Sequence, residues 1–292
     1  MFHYVILIYS AYFLGEMNKL KSAIFKFVKM IIGFCFCAIG IVMTINANLG
    51  LSPWDVLHEG IYKITGITMG NASIIVGTMV VVVNILLKEN LGWGTIINMI
   101  LVGILMDVLM LNHLIPIADN FVTGIIMMLL GMFILGIGCV LYLGSGFGSG
   151  PRDGMMVAIQ RKTGKSLTLI RGVMEVSALI VGYFLGGTVG IGTVISAFGL
   201  GYFIELAFKI CKFDSASVKH RYIIDDINYL KRFFTQKKMI KILFFKNSKK
   251  ILLEFINSSN IFFYKIFILT NFYIFSIIYS SLFHSNLLKP YF

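Results

Sequence analysis

Asp55 and Asp153 occupy equivalent points of two segments that read alike, Asn48-Leu49-Gly50-Leu51-Ser52-Pro53-Trp54-Asp55 and Gly146-Phe147-Gly148-Ser149-Gly150-Pro151-Arg152-Asp153. Carboxylates among apolar neighbours can bind a cation or relay a proton, since an ionisable group held away from water is costly and marks a pathway. They can also simply favour the positive end of a helix that Pro53 or Pro151 starts, with Ser52 as a cap. Arg152 places a cation beside the second carboxylate. Gly146, Gly148 and Gly150 could turn backbone N–H groups toward an anion, although tight turning and close packing use glycine in the same way. Arg171 and Glu175 stand one helical turn apart and can pair. Glu175 lies within an apolar run, so it is expected to face the bundle interior or water. Asp55, Asp153, Arg152, Arg171 and Glu175 are therefore the candidates for a substrate or ion pathway, and the three glycines for an anion nest.

Other chemistry lacks its residues. No nucleophile triad, His-Glu-x-x-His pair or phosphate loop is present, so an enzyme is not expected. Gly146 to Gly150 is not a nucleotide fingerprint, because no strand precedes it and no Gly-Lys-Ser/Thr closes it. Cys35, Cys37, Cys139 and Cys211 have neither Cys-x-x-Cys spacing nor a histidine pair, which points to packing rather than metal or redox use. No metal or cofactor is expected. Trp54 reads as an interface anchor, and His58 with Glu59 as the wet face of a short helix. Asp107 and Glu205 read as solvated acids near span ends.

The elements that position these residues follow from composition. The chain is 58% hydrophobic and 13% charged, with a mean hydropathy of +0.89. Its partner is a lipid bilayer, where each backbone group must be satisfied within its own helix or in a closed barrel. Long unalternated runs such as Ile74 to Leu87 favour helices. Spans are expected at 27–47, 70–88, 93–112, 122–143, 167–186 and 192–211. Short helices are expected at 53–64 and 151–162, at roughly 18 Å too short to cross. The net charge of +12 sits mostly in the tail, and no basic aromatic stripe suggests nucleic acid binding.

An offset of 98 residues also matches Gly33 with Gly131, Gly40 with Gly138, Thr65-Gly66 with Thr163-Gly164, Gly92 with Gly190 and Gly103 with Gly201. Two tandem membrane repeats are expected, at 27–112 and 122–211, each of three spans and a re-entrant or interfacial helix. Three spans per copy inverts one copy relative to the other. Lysine and arginine placement puts the N-terminus and residue 212 onward in the cytoplasm. A rival count of eight spans with parallel repeats satisfies the charges almost as well. Residues 1–26 read as an N-terminal extension and cytoplasmic start. Residues 212–292 read as a basic tail without glycine, with the composition of read-through from 233 and an apolar stretch at 261–283 that could enter the membrane.

The segments Gly50 to Gly60 and Gly148 to Met156, their spacing and the Thr-Gly closing each short helix resemble the YczE-type bacterial multi-pass membrane proteins, grouped with YyaS and YitT. That resemblance covers about residues 25–225. It implies a plasma-membrane protein of a bacterium and no particular reaction. Two functions are expected on this basis: a transporter of an unknown small solute or ion with its site between the repeats, or a non-transporting scaffold or regulator of another membrane system. The sequence leaves oligomerisation open.

Overall fold

A computed structural model describes residues 2–228, 230–232 and 235. Residues 25–223 form one compact unit, which carries the helical bundle. The second unit takes in 1–24 and 224–292; the stretch from 236 on, with the extra span expected at 261–283, lies outside the described residues.

Up to residue 210, eight α-helices succeed one another: α1 (Phe2–Asn46), α2 (Pro53–Thr65), α3 (Met69–Leu86), α4 (Trp93–Leu111), α5 (Phe121–Leu143), α6 (Pro151–Thr163), α7 (Leu167–Phe184) and α8 (Ile191–Ile210). Among the described residues there is no strand. Among the described residues, six helical stretches are long and apolar enough to cross a membrane: Lys21–Asn46 of α1, and α3, α4, α5, α7 and α8. They match the six expected spans to within a few residues, apart from the longer start of α1. The helices α2 and α6 have 13 residues each. At 1.5 Å per residue that is about 20 Å, short of a roughly 30 Å hydrocarbon core.

Local sequence explains both short helices. Pro53 and Pro151 sit in their first turns, where a missing N–H costs nothing. Gly66 and Gly164 end them in the left-handed conformation, at φ 72° and 67°. Each returns its N–H to the carbonyl four residues back, Tyr62 at 2.9 Å and Gln160 at 2.8 Å. Thr68 and Ser166 then start the next spans by accepting from the N–H of Asn71 and Leu169. Ser52 differs from the expected cap. It holds the N-cap position of α2 but makes no side-chain bond to the helix. Its hydroxyl donates to Asp55 Oδ2 at 2.5 Å, a charge-assisted bond that ties the cap residue to the carboxylate three positions on.

Small residues set the helix packing. A Cβ on Gly40 would lie 2.6 Å from the carbonyl oxygen of Gly131, and one on Gly138 would lie 2.8 Å from that of Gly33. As the numbers rise along α1 they fall along α5, so the two helices run antiparallel, backbone to backbone. Phe34 and Tyr142 meet beside this seam, ring centroids 5.6 Å apart. The half-length helices pack crosswise, α2 on α7 and α6 on α3.

The loops before the short helices are fixed to the starts of α4 and α8. Gly94 donates its N–H to Phe147 O at 2.8 Å, and Gly192 donates to Leu49 O at 2.7 Å. Gly148 (φ 118°) lies against Gly92, and Gly50 (φ 108°) against Gly190. Both the dihedral and the close approach require glycine. Thr95 Oγ1 donates to Ser149 O at 2.5 Å, and the fully buried Asn84 donates through Nδ2 to Pro151 O at 2.8 Å.

Asp107 departs from the solvated span end that was expected. It accepts from Thr68 Oγ1 at 2.5 Å and from the Gly70 N–H at 2.7 Å. From α4 it thus satisfies donors at the start of α3 that have no partner in their own helix. Glu205 differs from it, 65% exposed and paired with Lys209 at 2.9 Å.

Candidate functional site

A cavity of ≈ 240 Å³ lies where the two half-length helices begin. That is room for about eight waters at roughly 30 Å³ each, or for a small organic molecule. Its wall includes Ser52, Trp54 and Asp55 at the start of α2, and Gly150, Pro151, Arg152 and Asp153 at the start of α6. Ile41 and Thr44 of α1, Ser73 and Gly77 of α3, Asn98 and Val102 of α4, Tyr142 of α5 and Ser196 of α8 complete much of the rest. Most of these positions are interior turns of the spans, so the cavity is level with the middle of the bundle. Arg171 and Glu175 of α7 also line it, paired at 3.0 Å between Nε and Oε1.

All five charged candidates from the sequence therefore share one cavity. The reason is local: an early break in each half leaves its half-length helix ending inside the bundle, first turn inward. Asp55 is buried at 5% exposure, with Ser52 on one oxygen and His58 Nδ1 3.3 Å from the other. Asp153 is exposed and lines the cavity. It accepts from the Tyr142 hydroxyl at 3.3 Å. Arg171 is exposed and Glu175 half-buried. The cavity wall thus carries three carboxylates and two guanidiniums.

The three glycines separate. Gly150 lines the cavity. Gly148 packs against Gly92 instead. Gly146 donates its N–H to Leu143 O at 3.1 Å and accepts from the Arg221 N–H at 2.9 Å through its carbonyl.

Two residues read otherwise in the sequence belong to the site. His58 is 1% exposed, not on a wet face. It lies between Asp55 of its own helix and Arg152, whose Nη2 is 3.3 Å from His58 Nε2. The i,i+3 spacing from Asp55 was the available signal, since an inward Asp55 takes His58 with it. Glu59 and Lys63 do form the outer face, paired at 3.0 Å. Trp54 is half-buried on the cavity wall and not an interface anchor, with the Arg152 guanidinium carbon 4.4 Å from its ring centroid. An arginine facing it from α6 turns the indole inward. Cys37 and Cys139 pack into the same wall, and all four cysteines are free.

Six helices able to cross a membrane, and two half-length helices starting at a charged cavity among them, define a multi-pass membrane protein. Residues 24–209 match the family of unknown function DUF6198, and the chain belongs to that family. It is 33% identical over 179 residues to the "Uncharacterized membrane protein YczE" of Bacillus subtilis, covering 60% of this chain and 81% of that protein. An "Uncharacterized protein" of Haemophilus influenzae is 32% identical, with 66% of this chain and 88% of that protein covered. The "Uncharacterized protein YyaS" of Bacillus subtilis is 26% identical, with 59% and 86% covered. The family resemblance carried by the two break motifs is thereby met. No solved structure matches the chain.

Proposed function

We propose that the protein is a carrier of a small solute or ion whose site is the cavity between the starts of α2 and α6. The observation that supports this most directly is the cavity itself. It sits among the middle turns of the spans, is walled by both half-length helices, and holds Asp55, Arg152, Asp153, Arg171 and Glu175. Charges of this kind inside a bundle mark a pathway, and discontinuous helices bring backbone dipoles to it.

Alternating access needs two halves that can exchange roles, and a doubled, inverted chain supplies them. Contacts between the halves support that origin, because they swap partners under the 98-residue offset. Gly33 meets Gly138 and Gly131 meets Gly40; Gly50 meets Gly190 and Gly148 meets Gly92. The bonds from Gly94 to Phe147 and from Gly192 to Leu49 are exchanged in the same way. Reciprocal contacts of this kind are those of a twofold arrangement. The antiparallel course of α1 and α5, first helices of their halves, is what an axis in the membrane plane would produce and supports that reading. On this reading the N-terminus and residue 212 onward face the cytoplasm of a bacterial cell.

The test is reconstitution of the full chain into liposomes, with a panel of small solutes, with and without an ion gradient. The expected result is flux for at least one solute, lost in Asp153→Asn and Glu175→Gln. No flux across a broad panel, or flux unchanged in both variants, counts against a carrier.

A further inference from the structure

The hydrogen bonding of Arg152 sets the protonation state of His58. Arginine has no acceptor, so the nitrogen 3.3 Å from its Nη2 must supply a lone pair. That nitrogen is His58 Nε2, and the ring is neutral with its proton on Nδ1. Nδ1 faces Asp55 Oδ1 at 3.3 Å but finds no partner in hydrogen-bond geometry. The ring is thus held chiefly through the nitrogen that Arg152 occupies. The charged groups facing it are Asp55 on its own helix and Arg152 on α6. Among the described residues, α3, α7 and α8, which also pack on α2, bring no other.

Arg152 is lightly committed. Among the described residues it makes no ion pair with a carboxylate, although three line the same cavity; it holds one histidine nitrogen and one indole face. A guanidinium has five N–H donors in a fixed fork that fits an oxyanion. Arg152 lines the cavity, and among the described residues no other hydrogen bond holds its guanidinium.

From this we infer that the carrier takes a small oxyanion on Arg152 together with a proton on His58. Arg152 N–H and a proton compete for one lone pair at Nε2. When Arg152 turns to an anion, Nε2 is vacated and a proton from solution binds it. The imidazole becomes an imidazolium, with Nδ1–H still toward Asp55. When the anion leaves, the proton leaves Nε2 and the Arg152 N–H returns. The charge balance favours the same pairing. Three carboxylates against two guanidiniums leave the wall at −1, which opposes an anion, and one proton cancels that excess. By reciprocity each ligand raises the affinity for the other.

This inference rests on the carrier reading, but its test needs no transport. The chain has two tryptophans, so Trp93→Phe leaves Trp54 as the sole reporter of the stacked guanidinium. Its fluorescence is titrated from pH 8 to pH 5 in lipid-free detergent, with sulfate or acetate as the added anion and chloride held constant. One protonation step is expected, and its midpoint should move to higher pH with either anion. At about ten times the half-saturating concentration the shift should be about one pH unit. His58→Gln, which can still accept from Arg152 but cannot titrate, should abolish the step. No step, a step that persists in His58→Gln, or a midpoint indifferent to both anions would overturn the inference, even if liposome flux were found. The expected step and shift with no flux for any solute would instead uphold the coupled site and reject the carrier.

Discussion

The guanidinium carbon of Arg152 stands 4.4 Å from the ring centroid of Trp54, and the two residues hold the same place in the two break segments. In the proposed inverted pair, a residue touching its own counterpart lies on the axis that relates the halves. The first turns of α2 and α6 therefore meet at one point, with the indole on one side and the cation on the other. Such a pair is worth about 2 kcal/mol when it is removed from water. Trp54→Leu should accordingly slow solute flux in liposomes by about tenfold or more, while Trp54→Phe keeps most of it. Equal loss in both variants would mean that the ring's charge attraction is irrelevant.

The seam between α1 and α5 has no room for a methyl group. Gly40→Ala and Gly138→Ala should each lower stability in detergent by about 1–3 kcal/mol, because the Cβ meets backbone that cannot move aside. Gly172→Ala is the control: nothing lies within 4 Å of its Cβ position, and a helical glycine replaced by alanine gains helix propensity. Thermal unfolding followed by circular dichroism reads all three. A Gly40→Ala protein as stable as the parent would contradict the packing.

Asp107 and Glu205 are acids at matching positions with different surroundings. Removing Asp107 with alanine leaves the Thr68 hydroxyl and the Gly70 N–H without their acceptor. The expected cost is about 1–3 kcal/mol. Glu205→Ala removes only an exposed pair with Lys209 and should leave the unfolding midpoint where it is. The comparison separates a capping carboxylate from a solvated one.

The two short helices carry Lys63 and Arg161 in their last turns. Lys63 reaches the 186–188 loop, with Nζ 3.0 Å from Gly186 O, and Arg161 pairs with Glu89 in the loop before α4. In inverted halves these ends face opposite sides of the membrane. In a cysteine-free background, Lys63→Cys should label with an impermeant maleimide only from outside the cell, and Arg161→Cys only after permeabilisation. Labelling of both from one side would reject inversion.

His220 lies beyond the spans, in the segment that docks through Arg221 N–H to Gly146 O and Ile223 N–H to Leu91 O. Partial burial pushes the pKa of His220 below its usual value near 6.5. The docked segment therefore holds the neutral ring, and the undocked one binds a proton more readily. Docking is fully stable above pH 6.5 and weakens as the pH falls below it. Amide exchange at 221 and 223, corrected for its intrinsic pH dependence, should speed up between about pH 7.5 and pH 5.5. His220→Gln should remove that dependence.

Sequence and structure agree where a single segment carries the information. Bilayer thickness dictates how many apolar residues a span needs, so six spans and two helices too short to cross are readable from run length. Proline at the start and glycine at the end mark each short helix because their backbone preferences are intrinsic. Asp55, Arg152, Asp153, Arg171 and Glu175 stand out for the same reason, since a charge in an apolar run needs no partner to be noticed.

Only the tertiary structure decided what those charges face. The amphipathic pattern of α2 has a polar side, but water and a charged cavity select the same residue types. His58 therefore reads as wet until the fold sets Arg152, 94 positions away, against it. Asp107 reads as solvated until the first turn of α3 comes to lie beside it. Periodicity records which residues share a face. What covers that face depends on another helix, and pairing across the fold leaves no local mark in the chain.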